Sequence, residues 1–314
     1  MSIVINQTIN PVTTPVTTAA MTPATIPANA TAPLMMGAVA YAPKVVTIWE
    51  GFKEYFRRHG LAFDYILYSN YERQVEAQFD GGIALAWNSP LAWVRAERLA
   101  SARGLVLDTV AMRDTDRDLT SVLVTRADSP ITELAWLAGK TIGFGAIDSP
   151  QARLIPLDYL RHHGLLAGRD FMARHFDVLG GKHGDHIGGE RDAAQALVDG
   201  EIDAAWMIDG NHMAFSREGL LAAGATRILA RTEPFDHCNF TVSPGAPAAQ
   251  IERFTELLLA MRWDDADVRP LLELEGLRQW LPGRTSGYEA LSRAADDERF
   301  YDQAGHIIAS DYRY

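Results

Sequence analysis

The residues best suited to chemistry stand in a glycine-rich loop over positions 180–190. The loop reads Gly-Gly-Lys-His-Gly-Asp-His-Ile-Gly-Gly-Glu, which places His183, Asp185, His186 and Glu190 close together. Imidazole and carboxylate groups are usual ligands of zinc, iron and nickel, and imidazole also serves as a general acid or base. The glycines permit close approach of the backbone to a ligand. Three interpretations stay open: contact with an anion or substrate, a metal site, and a solvated hinge loop.

The spacing His-x-x-His on a loop does not by itself predict a metal site. It lacks the helical His-Glu-x-x-His pattern, which places two ligands and a base together. We therefore predict no metal and no cofactor, and His183 and His186 remain only weak metal candidates.

A second set of residues stands where predicted strands end and helices begin. Ligands of α/β proteins bind beyond the carboxyl ends of strands, and the free N–H groups of a helix start attract anions. Ser89 and Ser149 stand at two such helix starts. The candidate ligand-binding residues are Tyr41, Trp87, Asn88, Ser89, Thr120, Ser121, Ser149, Gln151, Asp209 and the loop residue His186.

The chain has a single cysteine, Cys238, directly after His237. A cysteine beside a histidine suggests a nucleophile. Adjacent residues on a strand point to opposite faces, however, so sequence neighbours rarely form a working pair. A small buried apolar role is therefore favoured over catalysis for Cys238.

Three aspartates, Asp114, Asp116 and Asp118, resemble the start of a calcium-binding loop. The glycine and the terminal glutamate of such a loop do not follow at the required spacing. The sequence therefore predicts an exposed loop.

The elements that position these residues follow from hydrophobic periodicity. Apolar runs such as Leu34–Val39 predict strands, whereas residues 45–58 carry apolar side chains at helical spacing. Strands and helices alternate to about residue 261, which favours parallel sheets with helices on both faces. The remaining C-terminal segment is predicted to be mostly helical and polar. Both halves follow one βα plan, which predicts two lobes.

Composition excludes several classes of protein. The 314 residues are 47% apolar, and 29 Lys+Arg against 40 Asp+Glu give a net charge of −11. Nucleic-acid binding needs a basic face, so we predict no nucleic-acid partner. One cysteine excludes an intramolecular disulfide. No run approaches the ~18 apolar residues of a membrane span, so none is predicted.

Four segments resemble a known family. The turn Trp87-Asn88-Ser89-Pro90 looks like a turn of the phosphonate/phosphite-binding branch of periplasmic binding proteins, and residues 120–131 are similar to that family's return strand. The Gly139-Lys140 stretch, followed by Asp148-Ser149-Pro150-Gln151, resembles the segment that follows the return strand in that family. The segment 193–205, with Gly200-Glu201-Ile202-Asp203-Ala204-Ala205, resembles a pattern of type 2 solute-binding proteins. The resemblance covers about residues 34–260.

The resemblance implies a type 2 periplasmic-binding-protein fold of the Venus-flytrap kind, with two doubly wound α/β lobes joined by hinge strands. Residues 34–120 and about 226–314 would form one lobe with a helical tail, and residues 121–225 the other. The implied ligand is a small oxyanion, phosphonate-like, phosphate-like or a carboxylate, bound between the lobes. His183 or His186 would belong to the anion pocket. An ABC permease would be the partner if the protein is exported.

An enzyme on the same fold is the alternative. Type 2 folds also host lyases, decarboxylases, desulfinases and hydrolases, and a fold does not settle function. In that case His186 or His183 would act as general acid or base and Asp185 would orient it, with Cys238 as a minor candidate.

The N-terminal segment, residues 1–33, is rich in Thr, Pro and Ala and contains no basic residue. A secretory signal needs a basic region and an uninterrupted apolar run, and four prolines interrupt this segment. We therefore predict a flexible or extended arm and favour a cytoplasmic location. A periplasmic location would follow if the start or the export route is misread.

Overall fold

The computed structural model describes residues 32–177, 180–185 and 188–314. The strands are β1 (Leu34–Val39), β2 (Phe63–Tyr68), β3 (Leu85–Asn88), β4 (Thr109–Arg113), β5 (Ser121–Arg126), β6 (Thr141–Phe144), β7 (Met172–His175), β8 (Ala204–Ile208), β9 (Thr226–Arg231), β10 (Asn239–Val242) and β11 (Trp280–Pro282). The helices are α1 (Lys44–Arg58), α2 (Tyr71–Phe79), α3 (Pro90–Ala102), α4 (Ile155–His162), α5 (Gly188–Val198), α6 (Asp209–Arg217), α7 (Ala248–Leu259), α8 (Arg269–Glu275) and α9 (Glu289–Asp297). A π-helical turn, Pro150–Leu154, leads into α4.

The strands form two sheets, as the predicted two-lobe α/β fold requires. The first sheet has the order β11-β4-β10-β3-β1-β2, and the second has the order β7-β6-β8-β5-β9. Pairs β1/β2, β1/β3, β6/β7 and β6/β8 are parallel. In contrast, β10 runs antiparallel to β3 and β5 runs antiparallel to β8. The expectation of parallel sheets is therefore wrong in part, because each strand that follows a crossing between sheets enters its new sheet in the opposite direction.

The chain crosses between the sheets twice. The crossings are residues 114–120 and 232–238, and they pair with each other through Leu119 and Phe235, whose N–H groups each donate to the other's carbonyl at 2.8 Å. Strand β9 belongs to the second sheet. A boundary between lobes therefore fits residues 232–238 better than the predicted position near 226, and the lobe division itself stays a prediction.

Helix α1 shows how the sequence builds the first core. Its buried residues are those predicted from helical spacing: Val45, Ile48, Trp49, Phe52 and Phe56. They pack beside β10 and α7, in one apolar cluster with the first sheet. This packing fixes the start of α1 next to the end of β1.

The C-terminal segment differs from its prediction. It contains two short helices and an edge strand, β11, that pairs antiparallel with β4. Pro282 and the neighbouring glycines disfavour a helix, and burial of Trp280 against the first core stabilises the strand instead. Within the described ranges, the helices are all too short or too polar to cross a membrane.

Candidate functional site

A cavity of about 340 Å³ lies between the ends of the two sheets. Residues at or just beyond the carboxyl ends of β1, β3, β4 and β8 line it, together with parts of both crossings. The lining residues are Tyr41, Lys44, Trp87, Arg113, Thr115, Asp116, Leu119, Gln151, Gly184, Asp185, Ile208, Gly210, Asn211, His237 and Cys238. The position agrees with the rule that α/β proteins bind ligands beyond strand carboxyl ends.

Arg113, the last residue of β4, organises one wall of the cavity. Its Nε and Nη2 donate to the two carboxylate oxygens of Asp116 at 2.6 and 2.9 Å, and its Nη1 donates to Glu275 Oε1 at 3.2 Å. The guanidinium lies 5.3 Å from the ring centre of Trp87, in cation–π contact. One buried cation thus holds two buried carboxylates against an aromatic ring.

The pKa values of the two carboxylates differ because their surroundings differ. Burial favours the neutral form of both. For Asp116, Arg113 and His237 outweigh burial and hold the pKa at about 2. For Glu275, burial dominates over Arg113 and raises the pKa to about 7. Asp116 is 2% exposed, so the predicted exposed aspartate loop is wrong at this residue.

His237 and Cys238 stand beside Asp116 at the end of the second crossing. His237 Nδ1 lies 3.1 Å from Cys238 Sγ and 3.6 Å from Asp116 Oδ1. Both residues precede β10, so the alternation of a strand does not separate them and they face one cavity. Burial raises the pKa of the Cys238 thiol, which disfavours the reactive thiolate.

Asp185 approaches this group from the other side. Its Oδ1 lies 3.9 Å from His237 Nε2 and 4.0 Å from Cys238 Sγ. Its second oxygen accepts a hydrogen bond from the Tyr71 hydroxyl. Burial raises the pKa of Asp185, although His237 and Tyr71 oppose the shift.

His183 lies behind the cavity wall and is fully buried. Its Nδ1 is 2.6 Å from Ser89 Oγ and its Nε2 is 2.8 Å from Glu72 Oε1, while its ring stacks on Tyr71 at 4.8 Å. Burial lowers the pKa of His183, but the nearby Glu72 carboxylate raises it more, so that the pKa lies above its ordinary value. Because both ring nitrogens are engaged, the structure gives His183 no access to a substrate as acid or base.

Residues 180–185, which we call the strap, connect the second sheet to elements of the first. Lys182 Nζ donates to the carbonyl oxygens of Ala40 and Ser69, and Tyr71 N donates to Gly181 O at 3.0 Å. The strap residues His183 and Asp185 bond to Ser89, Glu72 and Tyr71, as described above. The strap is therefore bonded to the elements of the first sheet and is not a solvated loop.

Three of the predicted ligand-binding residues, Tyr41, Trp87 and Gln151, line the cavity. The others are placed elsewhere. Asn88 bonds Gln74, Gln78 and Thr241 beneath the cavity, Ser89 and Ser149 cap helical turns, and Ser121 donates to the Gln151 carbonyl oxygen, whereas Thr120 and Asp209 both bind Arg231. His186 lies outside the described residues.

The sequence did not single out Lys44, Arg113, Asp116, Asn211 or His237 as site residues. Four of them stand at or beside the ends of strands β1, β4, β8 and β10, which is the signal that could have found them. Their convergence depends on the pairing of the two crossings, about 115 residues apart along the chain, and spacing does not reveal that pairing.

Two helix starts reach the cavity without a side-chain cap. Lys44 begins α1, and Gly210 and Asn211 belong to the first turn of α6; all three line the cavity. Among the described residues, no side chain caps either helix, whereas Asn70 caps α2 and Ser89 caps α3. The N–H groups of Val45 and Asp209 donate to backbone carbonyl oxygens, which leaves the other N–H groups of each first turn for a ligand. Uncapped N–H groups and the helix dipole favour an anion. One such start comes from each half of the molecule.

Comparison with protein families gives one match over most of the chain. The family model described as "ABC transporter, phosphonate, periplasmic substrate-binding protein" matches residues 37–288. This match overturns the expectation of a cytoplasmic protein, because the matched family is periplasmic. That expectation depended on residues 1–33, most of which lie outside the described residues, whereas the match does not use them.

Three solved structures illustrate the similarity in fold. PhnD1 from Prochlorococcus marinus, in complex with methylphosphonate, has 14% identity and a TM-score of 0.63, and the match covers 85% of this chain and 98% of that chain. XAC2383 from Xanthomonas citri, bound to ATP, has 18% identity and a TM-score of 0.66, with 86% and 98% covered. The aliphatic sulphonate-binding protein SsuA from Escherichia coli has 17% identity and a TM-score of 0.52, with 86% and 92% covered. These likenesses confirm the type 2 periplasmic-binding-protein fold.

Proposed function

The chain belongs to the family of phosphonate-type periplasmic substrate-binding proteins of ABC transporters, and from this premise we propose that its cavity binds a small oxyanion for delivery to a membrane permease. The permease is the partner that membership of the family implies. The ligand class rests on the cavity.

The observation that carries the proposal is the pair of uncapped helix starts at the cavity. The first turns of α1 and α6 approach from the two halves of the molecule, so that one anion between them would be bound by both. Lys44 adds a positive charge at the start of α1. A ligand held in this way would bind most tightly when the two halves are close together.

The size and walls of the cavity favour an oxyanion with an organic substituent. About 340 Å³ lies at the lower end of the usual range for small-molecule sites. Tyr41 and Trp87 offer aromatic surface beside the charged groups Lys44 and Arg113. Solved structures of similar fold hold methylphosphonate or belong to sulphonate-binding proteins, and both ligands are tetrahedral oxyanions with a carbon substituent.

Calorimetric titration with methylphosphonate, ethanesulfonate and inorganic phosphate tests the proposal. We expect at least one probe to bind, and Lys44→Ala to weaken its binding about tenfold, the loss of one charge-assisted contact. Lys53→Ala is the matched control, since Lys53 lies on the same helix but pairs with Asp64 at 2.8 Å.

Two results would contradict the proposal. One is the absence of binding by all three anions at millimolar concentration. The other is an equal loss of affinity in Lys44→Ala and Lys53→Ala. Native mass spectrometry of freshly purified protein adds the mass of any anion carried through purification.

A further inference from the structure

Three side chains with metal-ligating atoms converge on one wall of the cavity. We propose that Asp116, His237 and Cys238 form a binding site for a divalent transition-metal ion of the zinc type. The proposal goes beyond anion binding and can be tested without any anion. The residues come from the first and the second crossing.

The distances between potential ligand atoms support one shared ion. One ligand atom each from Asp116, His237 and Cys238 lies within 4.8 Å of the others. His237 Nδ1 is 3.1 Å from Cys238 Sγ and 3.6 Å from Asp116 Oδ1. Asp185 Oδ1 lies 4.0 Å from Cys238 Sγ but faces His237 Nε2, whereas Asp116 faces His237 Nδ1. Asp185 therefore stands outside this group of three ligand atoms, and solvent would supply the fourth ligand. Thiolate, imidazole and carboxylate together make a donor set that zinc accepts in tetrahedral geometry.

The balance of buried charge also favours a cation. Asp116, Asp185 and Glu275 are three carboxylates almost fully removed from water at this wall. Arg113 is the buried guanidinium that faces them, and it already bonds two of the three. A divalent ion would pair with those of these carboxylates that are ionised, an attraction that the low dielectric constant of the buried wall strengthens.

The donor set selects among ions. A thiolate and an imidazole favour zinc and cobalt over magnesium and calcium, which prefer oxygen ligands. On binding, the Cys238 thiol loses its proton to solvent and its sulfur bonds the metal, so that binding releases one proton. Arg113 stays paired with Asp116, because a carboxylate oxygen accepts a hydrogen bond and a metal bond together.

Cobalt(II) titration of the metal-free protein tests the site directly. Cobalt bound to a thiolate gives an intense ligand-to-metal charge-transfer absorption, and Cys238 is the one cysteine of the sequence. We expect this absorption to appear at one equivalent of cobalt and to disappear when zinc is added. In Cys238→Ser the absorption should be lost.

Further variants distinguish this site from cobalt bound elsewhere on the protein. His237→Gln keeps the cysteine, so it should retain the absorption but need about tenfold or more cobalt to reach it. His162→Gln is the matched control, because Asp158, His162 and Asp297 form a second, partly exposed group of potential ligands outside the cavity. That variant should leave the absorption and the affinity unchanged. Melting temperatures of all variants show whether each is folded.

Three outcomes would overturn the proposal. The first is no charge-transfer absorption in the wild-type protein at millimolar cobalt. The second is an unchanged cobalt affinity in folded His237→Gln. The third is binding that His162→Gln abolishes, which would place the ion in the other group. None of these results depends on whether methylphosphonate or another anion binds.

Discussion

At the scale of single residues, the cations of the cavity have different tasks. Arg113 is buried and bonded to Asp116 and Glu275, and breaking a buried pair of this kind costs about 3–5 kcal/mol because a charge is left unpaired. Lys44 has no ion pair within the part of the chain that the structure describes, and it lies 6.0 Å from the ring centre of Tyr41. Arg113 therefore holds Asp116 and Glu275 in place at the cavity wall, whereas Lys44 is available to bind a ligand.

His175 makes stability depend on pH. Its ring is half-buried near Phe144, and its Nδ1 has no hydrogen-bond partner among the residues that the structure describes. Burial together with the nearby Arg153 lowers its pKa to about 4. The ordinary histidine pKa of about 6.5 applies to the unfolded chain. Between these values the unfolded chain binds more protons, so the free energy of unfolding falls as the pH falls from about 7 toward 4.

We expect His175→Gln to remove about 2 kcal/mol of this loss between pH 7 and pH 5. Urea unfolding of both proteins at the two pH values measures it, with His306→Gln, on the exposed C-terminal segment, as the control. A pH dependence identical in wild type and His175→Gln would show that His175 is not responsible.

The sequence indicated the strand ends that lie at the cavity more reliably than the side chains that face it. Tyr41, Trp87 and Gln151 line the cavity, and their contact with a ligand stays a prediction. Asn88 and Ser89 stand at the same strand end as Trp87, yet buried hydrogen bonds to Gln74, Gln78 and His183 turn them inward. Those partners come from α2 and the strap, and no local pattern in the sequence announces such long-range contacts.

At the scale of elements, one of the bonds that hold the strap to the first-sheet elements is a buried charged pair. His183 and Glu72 are both fully buried and 2.8 Å apart. The backbone of His183 has φ of +51°, a conformation that L residues adopt rarely, and the surrounding bonds must maintain it. The pair thus links a loop of the second half to α2 of the first.

We expect His183→Ala to lower the free energy of unfolding by about 3–5 kcal/mol, since Glu72 is left buried without its partner. Lys182→Ala, the neighbouring control, should cost less than about 1 kcal/mol because Lys182 is partly exposed. In the double variant Glu72→Gln/His183→Ala, no unpaired charge remains, so the loss should be smaller than the sum of the two single losses. Strict additivity of the single losses would rule out this direct coupling.

Element prediction worked where burial follows a simple period. Strand β1 has its predicted bounds, Leu34–Val39, because a continuous apolar run specifies it locally. The prediction of a mostly helical C-terminal segment was wrong because the three residues of β11 pair with β4, which is distant in sequence. The prediction of parallel strands was wrong in part for the same reason, since the direction of a strand depends on where the chain crosses between the sheets.

At the scale of the whole molecule, two mixed sheets joined by paired crossings place the cavity where both crossings pass. The crossings contribute Asp116 and His237 to the cavity wall and also pair through Leu119 and Phe235. A change in the angle between the sheets would therefore move the groups of the site together with the hinge. This coupling is what a binding protein that closes on its ligand requires.

The net charge of −11 repels an anion, whereas the helix starts and Lys44 attract it. The ionic strength sets the relative size of these two effects. Screening shortens the reach of charge from about 30 Å at 0.01 M to about 8 Å at 0.15 M. The global negative charge repels an anion over long distances, whereas the helix starts and Lys44 attract it at contact, where salt screens less. We therefore expect affinity for methylphosphonate to rise with salt over this range, roughly threefold for each negative charge of the probe.

Titrations at the two ionic strengths in sodium chloride and in sodium acetate measure this effect. Screening depends only on ionic strength, whereas competition by the added anion differs between the salts. The affinity for cobalt should fall as the salt concentration rises, because the net negative charge attracts a cation and salt weakens that attraction. If affinity for methylphosphonate falls equally in both salts, the cavity's own positive field extends beyond its mouth and governs the encounter despite the acidic composition.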